Sequence, residues 1–142
     1  MRLIPILVFV FMAQSVIAAP ATYHLQPDLS SVGFETDFGP DKINGTMPVT
    51  SADLTLDFAH VSACKVSVTL NAAGAAASFP FAAQAMKGPK VLDTAEFPTI
   101  RFTSASVKPD GQGATITGTI TIRGVARPAT LSCTDLPSAR QR

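Results

Sequence analysis

The 142-residue sequence contains no tryptophan, one tyrosine, two cysteines and two histidines, and only 15% of its residues are charged. Each shortage removes a class of explanation. Eleven Lys and Arg against ten Asp and Glu leave a net charge of +1, so the chain as a whole has no electrostatic footprint for nucleic acid or for an anionic membrane surface. Little charge combined with 46% hydrophobic residues excludes disorder, because such a chain collapses in water. Cys64 and Cys133 are too far apart for a CxxC metal site and too few for a disulfide framework. Both lie in phase with apolar neighbours, Cys64 with Val66, Val68 and Leu70 and Cys133 with Leu131 and Ala129. One bridge and two free thiols are equally open.

The signatures of catalysis are also missing. The sequence has no GxSxG, HExxH, P-loop, GxGxxG or CxxCH, and no metal, cofactor or catalytic residue is expected. His24 and His60 read as surface or turn residues. Asp53 and Asp57 read as solvated carboxylates on the outward face of one strand. Beyond the N-terminus no apolar run is long enough to span a bilayer, which takes roughly 20 residues.

What is present begins with Met1-Arg2, the eleven residues Leu3–Ala13 without a polar side chain, and then Gln14-Ser15-Val16-Ile17-Ala18-Ala19-Pro20-Ala21. A positive start, an apolar stretch and small residues after it are the three regions of a secretory signal peptide. Residues 1–19 are therefore expected to be removed on export. The mature domain, residues 20–142, is expected to have no stable membrane anchor and to enter an oxidising compartment.

Eleven Pro, nine Gly and nine Phe with many Thr and Val favour strands joined by tight turns. Period-two alternation sets the architecture. Val32, Phe34, Thr36 and Phe38 share one strand face, Asn44-Gly45 is a hairpin turn signal, and Leu54, Leu56 and Phe58 alternate with Asp53, Thr55 and Asp57. Val66, Val68 and Leu70 follow. Between Asn71 and Phe97 the pattern breaks into alanine-rich, partly helical pieces interrupted by Pro80, and Asp93-Thr94-Ala95-Glu96 carries the signal for one helical turn. Alternation resumes with Ile100, Phe102 and Ser104. A turn at Asp110-Gly111 leads to Ile116, Gly118, Ile120 and Ile122, interleaved with Thr115, Thr117, Thr119 and Thr121. Gly118 marks a bend or a close backbone approach.

Seven or eight evenly spaced strands with one apolar face predict a single closed or nearly closed antiparallel β-barrel with a long, partly helical connection. Its inward set is rich in Phe, Leu, Ile and Val and contains no ionisable group. Periodicity alone leaves a filled core and a hollow interior equally open.

Three segments carry a resemblance that bears on the choice. Tyr23-x-Leu25-x-Pro27-Asp28 precedes Ser30, Ser31, Val32 and Phe34. Val91-Leu92-Asp93-Thr94-Ala95-Glu96-Phe97-Pro98-Thr99-Ile100-Arg101-Phe102-Thr103-Ser104 is the most specific. Gly118-Thr119-Ile120-Thr121-Ile122-Arg123-Gly124-Val125-Ala126-Arg127-Pro128 completes the series. In this order they resemble the YceI-like family of periplasmic, lipocalin-like proteins described as polyisoprenoid-binding. The resemblance implies a hollow lipocalin-like barrel that holds a long isoprenoid lipid, a polyprenyl compound or isoprenoid quinone, in the periplasm. Leu29 departs from the family, where a histidine is common. The chain ends at Arg142, before the one or two further strands that family members usually have, so an incompletely closed barrel is expected. Its unpaired edge could be satisfied by a second copy, a homodimer.

The lipid tail is expected against Phe34, Phe38, Leu54, Leu56, Phe58, Val66, Val68, Leu70, Phe102, Ile120 and Ile122, with Phe79, Phe81 and Met86 over one end. Lys87, Lys90, Arg123 and Arg127 are the basic groups near glycine turns, available to a headgroup but read first as solvated. The alternative function is a secreted structural or stress-protective β-domain with a filled core and no small-molecule ligand.

Overall fold

The computed structural model describes residues 21–111 and 113–134; the expected signal peptide, residues 1–19, lies outside the described residues. Eight strands form one antiparallel sheet: β1 (Ala21–Tyr23), β2 (Ser31–Phe38), β3 (Asp41–Leu56), β4 (Lys65–Asn71), β5 (Ala76–Ala77), β6 (Thr99–Asp110), β7 (Gly113–Ile122) and β8 (Val125–Cys133). The order is β1-β3-β4-β6-β7-β8, with β2 and β5 also paired to β3. Among the described residues no strand pairs with the outer edge of β8. Over the described residues the sheet is therefore not closed into a barrel, as the incompletely closed expectation had it.

β3 is the spine. Residues 41–48 pair with β2 and residues 49–55 with β4, and the register shifts between Val49 and Ser51. The extra residue of this bulge reverses the phase of the strand, which keeps Met47 and Val49 on the same face as Ala52 and Leu54. A second shift, between Ser104 and Ser106 in β6, does the same for Phe102 and Val107. There the hydroxyl of Ser104 accepts the Val66 backbone N–H at 2.9 Å, filling a gap in the β4–β6 ladder. Gly118 lies opposite Ser104, and a side chain on it would run into the Thr103 carbonyl, the close approach its position in the strand predicts.

The expected turn at Asn44-Gly45 is not where the chain reverses. Phe38 pairs with Asp41, so the two-residue loop is Gly39-Pro40, with Gly39 at φ 63°, the positive φ that a hairpin led by glycine requires. Asn44 and Gly45 lie inside β3. The Asn44 carbonyl accepts the Ser78 N–H at 2.7 Å, and Gly45 pairs with Phe34 on one side and Ala77 on the other. Asp110 and Gly111 stand at the β6–β7 turn as expected, with Gly111 at φ 59°, and a second hairpin turn lies at Arg123-Gly124. In the latter both residues have positive φ, 50° and 71°.

The long connection holds a helix, α1 (Pro80–Lys87). Pro80 starts it and does not interrupt it, because at the first helical position its fixed φ suits the helix and its missing N–H has no intrahelical partner to lose. Alanines and Met86 propagate it. Gly88 and Pro89 end it, and the chain folds back: Leu92 N–H donates to the Met86 carbonyl at 3.0 Å and Asp93 N–H to Gly88 at 2.9 Å. The single turn at Asp93–Glu96 forms, with Phe97 N–H donating to the Asp93 carbonyl at 2.8 Å.

The core is thin and made of small parts. Met47, Ala72, Ala75 and Ile100 are buried together, with Phe34, Leu70, Met86, Leu92 and Ile120 packed against them. Phe102, at 7% exposure, and Val107 are buried farther along the sheet. No large side chain is fully buried among the described residues.

Candidate functional site

A half-open cavity of about 640 Å3 lies between α1 and the β2–β3 hairpin. Phe34, Thr36, Asp41 and Ile43 form one wall, Ala77, Phe79, Phe81, Ala82, Ala85 and Met86 the other, and Val91 stands at the lip. Its size falls in the roughly 300–1,000 Å3 range of small-molecule sites. Thr36 and Asp41 are the polar members of an otherwise apolar lining. Phe34 and Met86 belong to both the cavity wall and the packing beneath it, so the floor of the cavity is the roof of the core.

Local sequence explains the wall. Phe34, Thr36 and Ile43 share a face because β2 and β3 pair Thr36 with Ile43 and Phe34 with Gly45. Gly45 leaves room for the Phe34 ring, which a Cβ there would overlap. On the far side Ala82 and Ala85 are small enough for α1 to lie near the hairpin without filling the space between. Val91 is held by the loop after α1, whose carbonyl at Val91 accepts from the Arg123 guanidinium at 3.5 Å while Arg123 lies 3.8 Å from Asp93.

Of the fourteen residues expected to meet a ligand, Phe34, Phe79, Phe81 and Met86 line this cavity. Leu70 and Ile120 pack below it, and Phe102 is in the core. Val68 pairs with Ala52 and Phe102 on the same face, and Leu54, Leu56 and Val66 continue that face toward β1. Phe38 is the last residue of β2. Ile122 borders a smaller hollow of about 280 Å3 with Ile120, Val125 and Arg127. Phe58 does not belong to the strand at all, since β3 ends at Leu56 and the Phe58 ring meets Tyr23 edge-on at 6.4 Å.

Two expectations about charge need correction. The face predicted to be free of ionisable groups carries Asp41, which lines the cavity beside Ile43, and Arg127, opposite Ile120. Directly opposed residues of an antiparallel pair project to the same side. Asp57 is no solvated strand carboxylate: it is 9% exposed and ends β3 by accepting the N–H groups of Ala59 and His60, each at 2.9 Å. The His60 backbone N–H, opposed by partial burial and helped by that of Ala59, holds the Asp57 carboxyl below the usual carboxylate value. His60 Nδ1 stands 3.3 Å from its second oxygen. Cys64 Sγ accepts the Asp57 N–H at 3.3 Å, and both Cys64 and Cys133 are free thiols. Among the described residues no group of three His, Cys, Asp or Glu is placed to hold a metal ion.

Sequence reasoning missed Thr36, Asp41, Ile43, Ala77, Ala82, Ala85 and Val91. Ile43 had a legible signal, its alternation with Met47 through Gly45, which the turn reading of Asn44-Gly45 obscured.

The described residues thus form an open antiparallel sheet with an apolar cavity under one short helix. Residues 23–138 match the model of the YceI-like domain, and the chain belongs to that family. It is 32% identical over 122 residues to Protein YceI of Escherichia coli O157:H7, covering 85% of this chain and 64% of that one. It is 36% identical over 87 residues to Protein YceI of Salmonella arizonae, covering 61% and 46%. The chain thus spans less than two thirds of the length of the curated relatives it matches. Among solved structures it resembles BcnA of Burkholderia cenocepacia, with a TM-score of 0.61, 20% identity and 72% and 64% of the two chains covered. It also resembles a YCEI protein of Campylobacter jejuni, with a TM-score of 0.54, 22% identity and 84% and 61% covered. These two likenesses concern the fold.

Proposed function

We propose that the protein is a binding or carrier protein for a long isoprenoid lipid, a polyprenyl compound or isoprenoid quinone, and not an enzyme. It would reach the periplasm through a cleaved signal peptide, residues 1–19. The single observation that carries the reading is the apolar cavity of about 640 Å3 between α1 and the β2–β3 hairpin. The family to which the chain belongs supports the isoprenoid class. Affinity comes from desolvation: each buried methylene contributes about 0.8 kcal/mol, so a branched hydrocarbon tail seated against Phe34, Ile43, Phe79 and Met86 needs no charged contact. The test is to purify the protein from its native compartment, extract it with organic solvent and analyse the extract by mass spectrometry. A polyprenyl or quinone species in amounts comparable to the protein is expected. A lipid-free extract from correctly folded protein overturns the reading in favour of a ligand-free structural domain.

A further inference from the structure

We propose that the α1 lip of the cavity is a membrane-docking surface, which places Phe79, Phe81 and Val91 at an anionic bilayer interface with Lys87 and Lys90 against the phospholipid headgroups. The purpose of the docking rests on the binding reading above, but the surface stands on observations of its own. Phe79, Phe81 and Val91 are 51%, 84% and 50% exposed, and all three border one opening. Single exposed apolar side chains are ordinary, whereas a cluster of them around a cavity mouth marks an interaction surface.

The net charge of the chain conceals a local asymmetry. Residues 79–92 contain Lys87 and Lys90 and no acidic residue, and neither lysine is ion-paired among the described residues. The opposite wall, the β2–β3 hairpin, bears Glu35, Asp37 and Asp41 against Lys42, and Lys42 is paired with Glu35. One lip is positive and the other negative, so it is the α1 lip that turns toward an anionic surface. Aromatic side chains beside lysines are the composition of a segment that lies in the interface plane. With one eight-residue helix and two lysines, the attachment is weak and reversible. An isoprenoid chain resides in the bilayer, and a mouth whose lip sits among the headgroups lets the tail enter without crossing water.

The test is co-sedimentation of the full chain with vesicles of phosphatidylcholine, with and without phosphatidylglycerol, alongside the variants Phe81→Ser and Lys87→Gln/Lys90→Gln. The Leu3–Ala13 stretch is common to all, so differences between variants report the lip. The lip's share of binding, the part the variants lose, is expected to need phosphatidylglycerol and to weaken with salt. Each lysine is worth about fivefold in partitioning, hence about twenty-fivefold for the pair, and Phe81→Ser is expected to lose at least about tenfold. Neither lysine lines the cavity, so the lysine variant is expected to bind the apolar fluorophore N-phenyl-1-naphthylamine as the native chain does. Absence of vesicle binding by folded protein, or variants that bind as well as the native chain, overturns the docking proposal. Vesicle binding without fluorophore binding sustains docking and counts against the cavity reading instead.

Discussion

The ring of Phe34 lies across the backbone of Gly45, its partner in the β2–β3 ladder, leaving no room for a Cβ, while the Ala76 carbonyl closes the space from the neighbouring strand. Gly45 is therefore a packing residue under the cavity wall. Gly45→Ala is expected to cost about 1–3 kcal/mol by overpacking, read as a lower urea midpoint with an unchanged m value. A Gly45→Ala protein as stable as the native chain would show that Phe34 can move aside freely.

Phe102 is buried and Phe81 open to solvent, at 7% and 84% exposure. Phe102→Ala is expected to cost about 3–5 kcal/mol, a large part of the 5–15 kcal/mol typical of a domain. Phe81→Ala is expected to stay within about 0.5 kcal/mol of the native chain. Thermal melts of the two variants check the pair, and equal losses would contradict the placement of one of them.

Ala82 lines the cavity from α1 without contributing bulk to the core. Ala82→Leu is expected to occupy the space of a ligand segment and weaken binding of an apolar fluorophore by roughly tenfold or more, given about 0.8 kcal/mol per displaced methylene. Stability should hold or rise. Unchanged affinity in a fluorescence titration would move the ligand site away from α1.

Asp57 has its carboxyl held below the ordinary value by the His60 and Ala59 backbone N–H groups. A lowered folded-state value means that this contribution to stability is fully present above the unfolded-state value near 3.8 and is lost as pH falls through the lower folded-state value. Asp57→Asn is expected to lower the melting temperature at neutral pH and to flatten the acid side of the stability curve. An acid limb identical to that of the native chain would mean that Asp57 does not contribute to it.

The outer edge of β8 is unpaired among the described residues, and Val125 and Leu131 on its apolar face are 54% and 43% exposed. An open edge with exposed apolar side chains is a template for pairing with another chain. Concentration-dependent association is expected in light scattering, and Leu131→Lys is expected to reduce it. A native chain that stays monomeric at high concentration would exclude pairing through β8.

The period-two phase of Val66, Val68 and Leu70, of Ile100 and Phe102, and of Ile116, Ile120 and Ile122 was legible because alternation by itself assigns a side chain to a sheet face, and those assignments agree with the observed register. The segments Tyr23–Phe34, Val91–Ser104 and Gly118–Pro128 were specific enough to indicate the family. Other features depend on contacts that no local window contains. Glycine serves turns and close approaches alike, and only the arrival of Phe34 and Ala76 on either side of Gly45 decided which it served. Bulges at Val49/Ser51 and Ser104/Ser106 reversed the phase, hiding Met47, Val49 and Val107 from a reading of unbroken alternation. The charges on the apolar face followed from the place of Asp41 in the cavity wall and from the strand register at Ile120↔Arg127. The cavity arose from α1, held beside β5, standing across a gap from a hairpin some forty residues earlier in the chain. Alternation determined which residues face inward; only the tertiary placement of the helix opposite the hairpin determined where that face stays unfilled, because a void is a property of two facing surfaces and neither sequence segment carries it alone.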